Sequence, residues 1–120
     1  MGVLNITPDS FSDGGKYFSQ KSAFDRATQI IEEGADIIDI GGESSRPGAE
    51  PISESEELRR VMPIVEKIAS RFSIPISIDT YKSSVARSCI EIGASIINDI
   101  SAMQFDPKMI KVAKDSGAFV

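Results

Sequence analysis

Polar side chains that can bind a ligand stand at or near the ends of several short apolar runs: Asn5, Asp39, Asp79 and the pair Asn98-Asp99. A carboxylate such as Asp79 accepts N–H bonds from a flat nitrogen heterocycle, and the amide of Asn98 both donates and accepts at such an edge. The amide oxygen of Asn5 is a neutral ligand suited to Mg²⁺, which binds few protein groups and takes its other ligands from phosphate and water. Structural interpretations remain open, in which Asn5 satisfies a loop backbone, Asp79 caps the following helix and Asp99 points to the opposite face.

Two long loops, at 7–21 and 41–53, follow the first two of these apolar runs. The stretch NITPDSFSDGG, residues 5–15, leads from the first strand into the first loop, although a strand-to-helix connection needs only about two to six residues. The second contains GGESSRPGAEP, in which Arg46 stands among small hydroxyl residues and glycines. A guanidinium combined with hydroxyls and a glycine-rich backbone is typical of an oxyanion site, and a solvated surface turn is the alternative.

Strands that alternate with helices must position these side chains. We predict strands at about 2–6, 35–40, 76–79 and 95–100, and the start of another at 118. Gly34, Gly93 and Gly117 each stand between a helical pattern and an apolar run, where a glycine can take the left-handed conformation that closes a helix.

The helices carry their own start and stop signals. Ser22 is predicted to cap the first helix, and Ser53 with Glu56 has the spacing of a capping box for the second. Pro63 is expected to kink or break the second helix, because proline lacks a backbone donor. An apolar stripe over 85–90 marks the third helix, and the dipeptide Asp106-Pro107 opens the fourth.

Strict alternation of strand and helix indicates an α/β fold built of βαβ units. An open doubly wound sheet and a (β/α)8 TIM barrel both fit this order. Polar residues at the end of every strand favour the barrel, since only a barrel brings all strand ends around one pocket. A whole barrel needs about 250 residues. We therefore predict that residues 1–120 are one partial barrel domain, roughly the first half, from the first strand to the start of the fifth.

The composition excludes several functional classes. With 41% hydrophobic and 26% charged residues, a net charge of −5 and no Lys/Arg cluster, the chain is predicted to bind neither nucleic acid nor membrane. It contains no histidine, which removes the commonest general base, and a lone cysteine, Cys89, which we expect in the core. The first residues lack the features of a secretory signal, so a cytoplasmic location is expected.

Four stretches taken in order resemble the dihydropteroate synthase family across essentially the whole chain: GVLNITPDSFSDGG, GADIIDIGGESSRPGA, ISIDT and GASIINDIS. The resemblance implies a (β/α)8 barrel that joins 6-hydroxymethyl-7,8-dihydropterin diphosphate to 4-aminobenzoate, forming 7,8-dihydropteroate and diphosphate in folate biosynthesis. It also implies a Mg²⁺ cofactor, a homodimer as the intact protein, and competition by sulfonamides for the aminobenzoate site.

The resemblance assigns roles to matching positions. Asn5 corresponds to the metal ligand that helps to hold the diphosphate, and Asp79 and Asn98 correspond to pterin-binding residues. Ser45 and Arg46 match a Thr-Arg pair near the diphosphate and the aminobenzoate, with serine retaining the hydroxyl.

Two further loop residues, Phe11 and Pro47, match positions that border the aminobenzoate. The long loop 7–21 resembles a mobile lid that excludes water, and Asp13 lies in its flexible part.

Two alternatives remain at this stage: the pterin-binding domain of a corrinoid-linked methyltransferase, and a non-catalytic pterin-binding module. The family's remaining functional residues are expected beyond the fifth strand. We therefore expect the isolated 120-residue chain to show no detectable dihydropteroate formation and to be poorly soluble or to oligomerise. Clear turnover, or a monodisperse monomer in size exclusion, would contradict these expectations.

Overall fold

Strands and helices alternate through the part of the chain that the computed structural model describes, residues 1–6, 16–42, 52–99 and 106–118. The elements of these ranges are, in chain order, β1 Gly2–Asn5, α1 Lys16–Glu32, β2 Ile38–Gly41, α2 Glu54–Arg71, β3 Ile76–Asp79, α3 Ser83–Glu91, β4 Ile96–Asn98 and α4 Lys108–Ser116. Within the described residues, none of the helices is long and apolar enough to span a membrane.

The four strands form one parallel sheet in the order β1-β2-β3-β4. Each helix packs against the helix that follows it, α1 on α2, α2 on α3 and α3 on α4. In a doubly wound sheet the chain reverses at a switch point, so that sequential strands do not stay in order. The sequential order therefore excludes the open sheet for these strands and is that of a barrel wall.

The two faces of the sheet differ in character. One face is apolar and buried, and it is formed by Leu4, Ile38, Ile40, Ile76, Ile78 and Ile97. The other face carries Asn5, Asp79 and Asn98 at the carboxyl ends of their strands, with Asp39 and Ser77 one step below. Asp39 and Ser77 are only 3% and 1% exposed, so the central strands β2 and β3 are buried on both faces, as is typical of parallel sheets covered by helices.

The predicted start of α1 was wrong. The helix begins at Lys16, and Ser22 lies inside it. Residues 16–21 contain neither glycine nor proline, so the helix extends through them. In α2 the predicted cap is confirmed, because the Ser53 hydroxyl accepts from the Glu56 backbone N–H at 3.1 Å. The helix is not broken at Pro63, which lies inside its 18 residues.

Helix closure explains why β2 begins later than predicted. The backbone N–H of Ala35 donates to Ile30 of α1, so this amide is used to end the helix and the strand starts at Ile38. Strand β4 begins at Ile96, one residue later than predicted, although the backbone N–H of Ser95 already donates to the Ile76 carbonyl of β3. Most of the predicted fifth strand, and the last predicted residue of β4 at position 100, lie outside the described residues.

Gly93 ends α3 with a φ of +136°, and a Cβ built there would lie 2.5 Å from the Cβ of Ala69 on α2. Gly34 also has a positive φ, +102°, but a Cβ there would meet nothing within 4 Å. We expect Gly93→Ala to lower the free energy of unfolding by about 2–4 kcal/mol and Gly34→Ala by about 1–2 kcal/mol. Urea midpoints measure both, and equal losses would show that the Ala69 contact relaxes without cost.

Candidate active site

The register of the sheet brings three predicted site residues to one level. Asn5 pairs with Gly41, Gly41 with Asp79, and Asp79 with Asn98. Parallel neighbours in register point to the same side of a sheet, so the side chains of Asn5, Asp79 and Asn98 share the polar face. A Cβ at Gly41 would lie 3.3 Å from the Cβ and 3.4 Å from Oδ2 of Asp79. Because Gly41 has no side chain, it leaves room for the Asp79 carboxylate.

Asp39, which the sequence placed near a strand end without giving it a role, is also a member of this site. The amide nitrogen of Asn98 donates to Oδ2 of Asp39 at 3.2 Å, while Oδ1 of Asp39 is buried and has no hydrogen-bond partner in the described part of the chain. A signal was present in DIIDI, because Asp39 precedes Gly41 by two residues and so lies on the same face.

The carboxyl group of Asp79 is a weaker acid than an ordinary aspartate side chain, because its pKa is raised. The pKa of Asp79 is raised from 3.8 to about 6, chiefly by burial and then by the negative charges of Asp39, Glu57 and Asp99 in that order. The carboxylate therefore changes its charge close to physiological pH, which is common for groups that handle a proton or bind a ligand edge.

The alternative in which Asp79 caps the next helix is not supported. Helix α3 begins at Ser83, and its first backbone N–H donates to the Asp106 carboxylate at 2.8 Å. Asp106 also accepts from the backbone N–H of Lys108 at 3.0 Å, so it serves the starts of both α3 and α4. In addition, the hydroxyl of Thr80 accepts from the Lys82 N–H at 3.1 Å. The Asp79 carboxylate therefore does not cap α3 and can accept hydrogen bonds from a ligand at the candidate site.

Two cationic side chains bind backbone carbonyl groups on either side of residues 43–51. Arg60 donates to the carbonyl of Gly42 at 2.8 Å, and the Lys82 ammonium donates to the carbonyl of Ile52 at 2.9 Å. Lys82 also forms an ion pair with Glu57 at 2.7 Å, and the Glu57 side chain is only 1% exposed. Helices α2 and the start of α3 thereby fix both ends of the segment that contains Ser45 and Arg46.

Five of the predicted site residues, Phe11, Asp13, Ser45, Arg46 and Pro47, lie outside the described residues, as do residues 7–15 of the predicted lid. Residues 16–21, which were also predicted to belong to the lid, are instead the first residues of α1. The structure brings together Asn5, Asp79 and Asn98 and adds Asp39. Cys89, predicted to be a core residue, is fully buried, and burial raises the pKa of its thiol to about 12. It is therefore an inert packing residue.

Comparison with known protein families identifies the family of this chain. Residues 1–120 match the family described as pterin binding enzyme over their whole length. The chain belongs to the pterin binding enzyme family.

Within that family the chain is similar to dihydropteroate synthases. The Bacillus subtilis enzyme is 58% identical over 115 residues, which are 96% of this chain and 40% of the enzyme. The crystal structure of the Clostridium difficile enzyme with pteroic acid superposes with a TM-score of 0.95 at 46% identity, covering 98% of this chain and 45% of that one. A Xanthomonas albilineans enzyme with 4-aminobenzoic acid gives 0.93 at 43% identity, covering 98% and 43%.

This chain spans less than half the length of the relatives it matches. The resemblance seen in the sequence is confirmed, and so is the fold class, part of a (β/α)8 barrel.

Proposed function

We propose that this pterin-binding chain forms the N-terminal half of a dihydropteroate synthase active site. The intact enzyme would condense 6-hydroxymethyl-7,8-dihydropterin diphosphate with 4-aminobenzoate and release diphosphate. The observation that carries the proposal is the convergence of Asn5, Asp79 and Asn98 on one level of a barrel wall. The close superposition on a relative crystallised with pteroic acid supports it.

In this proposal Asp79 and Asn98 bind the pterin. The Asp79 carboxylate accepts N–H bonds from the ring, and a half-buried position strengthens them by excluding part of the water. Asn98 has one amide N–H engaged by Asp39, which leaves its carbonyl oxygen and its second N–H for the ligand. A flat heterocycle with alternating donors and acceptors matches this set.

Asn5 would hold Mg²⁺ through its amide oxygen. The fit rests on the donor set: an exposed amide at a strand end is a hard oxygen ligand, and the described residues contain no cluster of three acidic, histidine or cysteine side chains. That set suits a Mg²⁺ ion that takes most ligands from a diphosphate and water, and not a metal held by a protein cage. When bound, the ion would neutralise charge that develops on the diphosphate as it leaves.

The two loops would complete this half of the site. Ser45 and Arg46 are proposed to contact the diphosphate and the aminobenzoate, with Phe11 and Pro47 at the aminobenzoate and Asp13 in the lid. Arg60 and Lys82 bind the carbonyl groups of Gly42 and Ile52, the described residues on either side of the second loop. A closed lid would keep water from the methylene carbon when its bond to the diphosphate breaks.

The proposal is tested by a segment exchange. Residues 1–120 replace the matching segment of the Bacillus subtilis enzyme, giving the chimeric enzyme, and dihydropteroate formation is measured with and without Mg²⁺. We expect Mg²⁺-dependent turnover within about tenfold of the parent, since about 1.4 kcal/mol in the barrier corresponds to tenfold in rate. A chimeric enzyme that melts like its parent but forms no product would contradict the proposal.

The same preparation separates the rival functions. Methyl transfer from a methylated tetrahydrofolate without aminobenzoate condensation would favour the corrinoid-linked methyltransferase. Pterin binding without either reaction would favour a non-catalytic module. One domain over 1–120, a cytoplasmic location, homodimerisation and sulfonamide binding remain parts of the proposal.

A further inference from the structure

We propose that Asp39 is a positioning residue, whose carboxylate fixes the side-chain amide of Asn98 in the one orientation that presents its carbonyl oxygen to the pterin. This inference rests on the proposed function. It concerns how the site selects its ligand, through a residue that does not itself need to touch the pterin.

The hydrogen bond defines the orientation. An ionised carboxylate only accepts, so the Asn98 atom 3.2 Å from Oδ2 of Asp39 must be the amide nitrogen. The carbonyl oxygen of Asn98 is then directed away from Asp39. Without the carboxylate the amide could turn over, and the ligand would meet a donor where it now meets an acceptor.

Stability does not explain an aspartate at this position. Asp39 is 3% exposed in β2, and its Oδ1 has no partner in the described part of the chain. Burial of a carboxylate with one unsatisfied oxygen is costly, whereas an apolar residue of similar volume avoids that cost. A site that must orient an amide supplies the reason for keeping the charge.

Asp39 also acts on Asp79 through its charge, which provides a second readout. The charged groups around Asp79 are Asp39 on β2, Asp99 just after β4, and Glu57 on α2 with its ion-pair partner Lys82 before α3. Removal of the Asp39 charge leaves the others in place and lowers the pKa of Asp79 from about 6. If the ionised Asp79 binds the ring, pterin affinity in the unsubstituted protein rises as the pH rises through about 6.

The test is Asp39→Asn in the chimeric enzyme, with Ser77→Ala as the matched control. Ser77 pairs with Asp39 in the register, lies on the same face and is just as deeply buried. Binding of 6-hydroxymethyl-7,8-dihydropterin diphosphate is measured by calorimetry from pH 5 to pH 8. We expect Asp39→Asn to weaken binding about 10- to 100-fold, the size expected for a misdirected buried polar group, and to move the pH midpoint downwards. Its KM should change more than its kcat.

Ser77→Ala should change affinity by less than about threefold, since it removes one small hydroxyl, and should leave the midpoint in place. Equal losses in the two variants, or an unchanged affinity and midpoint in Asp39→Asn, would overturn the positioning role. The proposed function fails differently: the unsubstituted chimeric enzyme would then bind no pterin at any pH, and the role of Asp39 would fall with it.

Discussion

Replacement of Asp79 by asparagine is expected to lower kcat/KM of the chimeric enzyme about 100-fold or more and to make the protein more stable at neutral pH. In the proposed site the loss of activity follows from the loss of a charged acceptor for the pterin, since a hydrogen bond to a charged group contributes about 1.5–3 kcal/mol and an amide turned the wrong way adds a penalty. Substitution of a residue that only supports the fold should lower activity and stability together, whereas Asp79→Asn is expected to lower activity and raise stability.

The gain in stability follows from the raised pKa of Asp79. The pKa is 3.8 in the unfolded chain and about 6 in the fold, so the fold favours the protonated form. The stabilising contribution is complete below about pH 4 and is lost as the pH rises through about 6. Above that pH the folded protein carries an ionised group in an unfavourable position, which asparagine removes.

The size of the gain is limited by water. A shift of this kind corresponds to about 3 kcal/mol for a fully buried group, and because Asp79 is half-buried we expect about 1–2 kcal/mol at pH 7.5. Urea denaturation at pH 4 and pH 7.5 measures the difference, with little gain expected at pH 4. Equal stability of Asp79→Asn and the unsubstituted protein at both pH values would contradict the explanation.

Replacement of Lys82 by methionine is expected to destabilise the fold by about 3 kcal/mol. Glu57 is 1% exposed, its Oε1 lies 2.7 Å from the Lys82 ammonium, and its Oε2 has no partner among the described residues. Loss of the lysine leaves a buried carboxylate without compensation, which typically costs about 3–5 kcal/mol, and the partial exposure of Lys82 places this case at the low end.

The matched control is the double variant Glu57→Met with Lys82→Met. Two apolar residues of similar volume remove the uncompensated charge, so the double variant should recover to within about 1 kcal/mol of the unsubstituted protein in urea midpoints. A double variant as unstable as Lys82→Met alone would show that other contacts of Lys82, such as its bond to the Ile52 carbonyl, stabilise this edge more than the ion pair does.

The sequence was sufficient to predict which strand-end residues line the candidate site, but not the contacts between their side chains. Asn5, Asp79 and Asn98 could be found because each ends an apolar run, and the ends of parallel strands meet at one edge. The role of Asp39 could not be found in the same way. Its partner Asn98 is 59 positions away, and only the register of the intervening strand places the two side chains side by side.

Other long-range contacts were beyond prediction for the same reason. The bond from Ser83 to Asp106 spans 23 positions and the ion pair of Lys82 with Glu57 spans 25. Local capping signals identified Asp106 as a start for α4, yet gave no sign that the same carboxylate serves α3. Helix α1 was missed at its start because the two aromatic residues of 16–21, Tyr17 and Phe18, are adjacent and do not give the helical spacing of apolar residues on which the prediction depended.

The strand order has a consequence for synthesis on the ribosome. Every strand after β1 forms its bonds with the strand made just before it, and every helix after α1 packs on its predecessor. A nascent chain can therefore add each βα unit to a surface that already exists, without waiting for a distant partner. The two residues of this half that are proposed to bind the pterin, Asp79 and Asn98, can therefore take their positions in the sheet once β4 has left the exit tunnel.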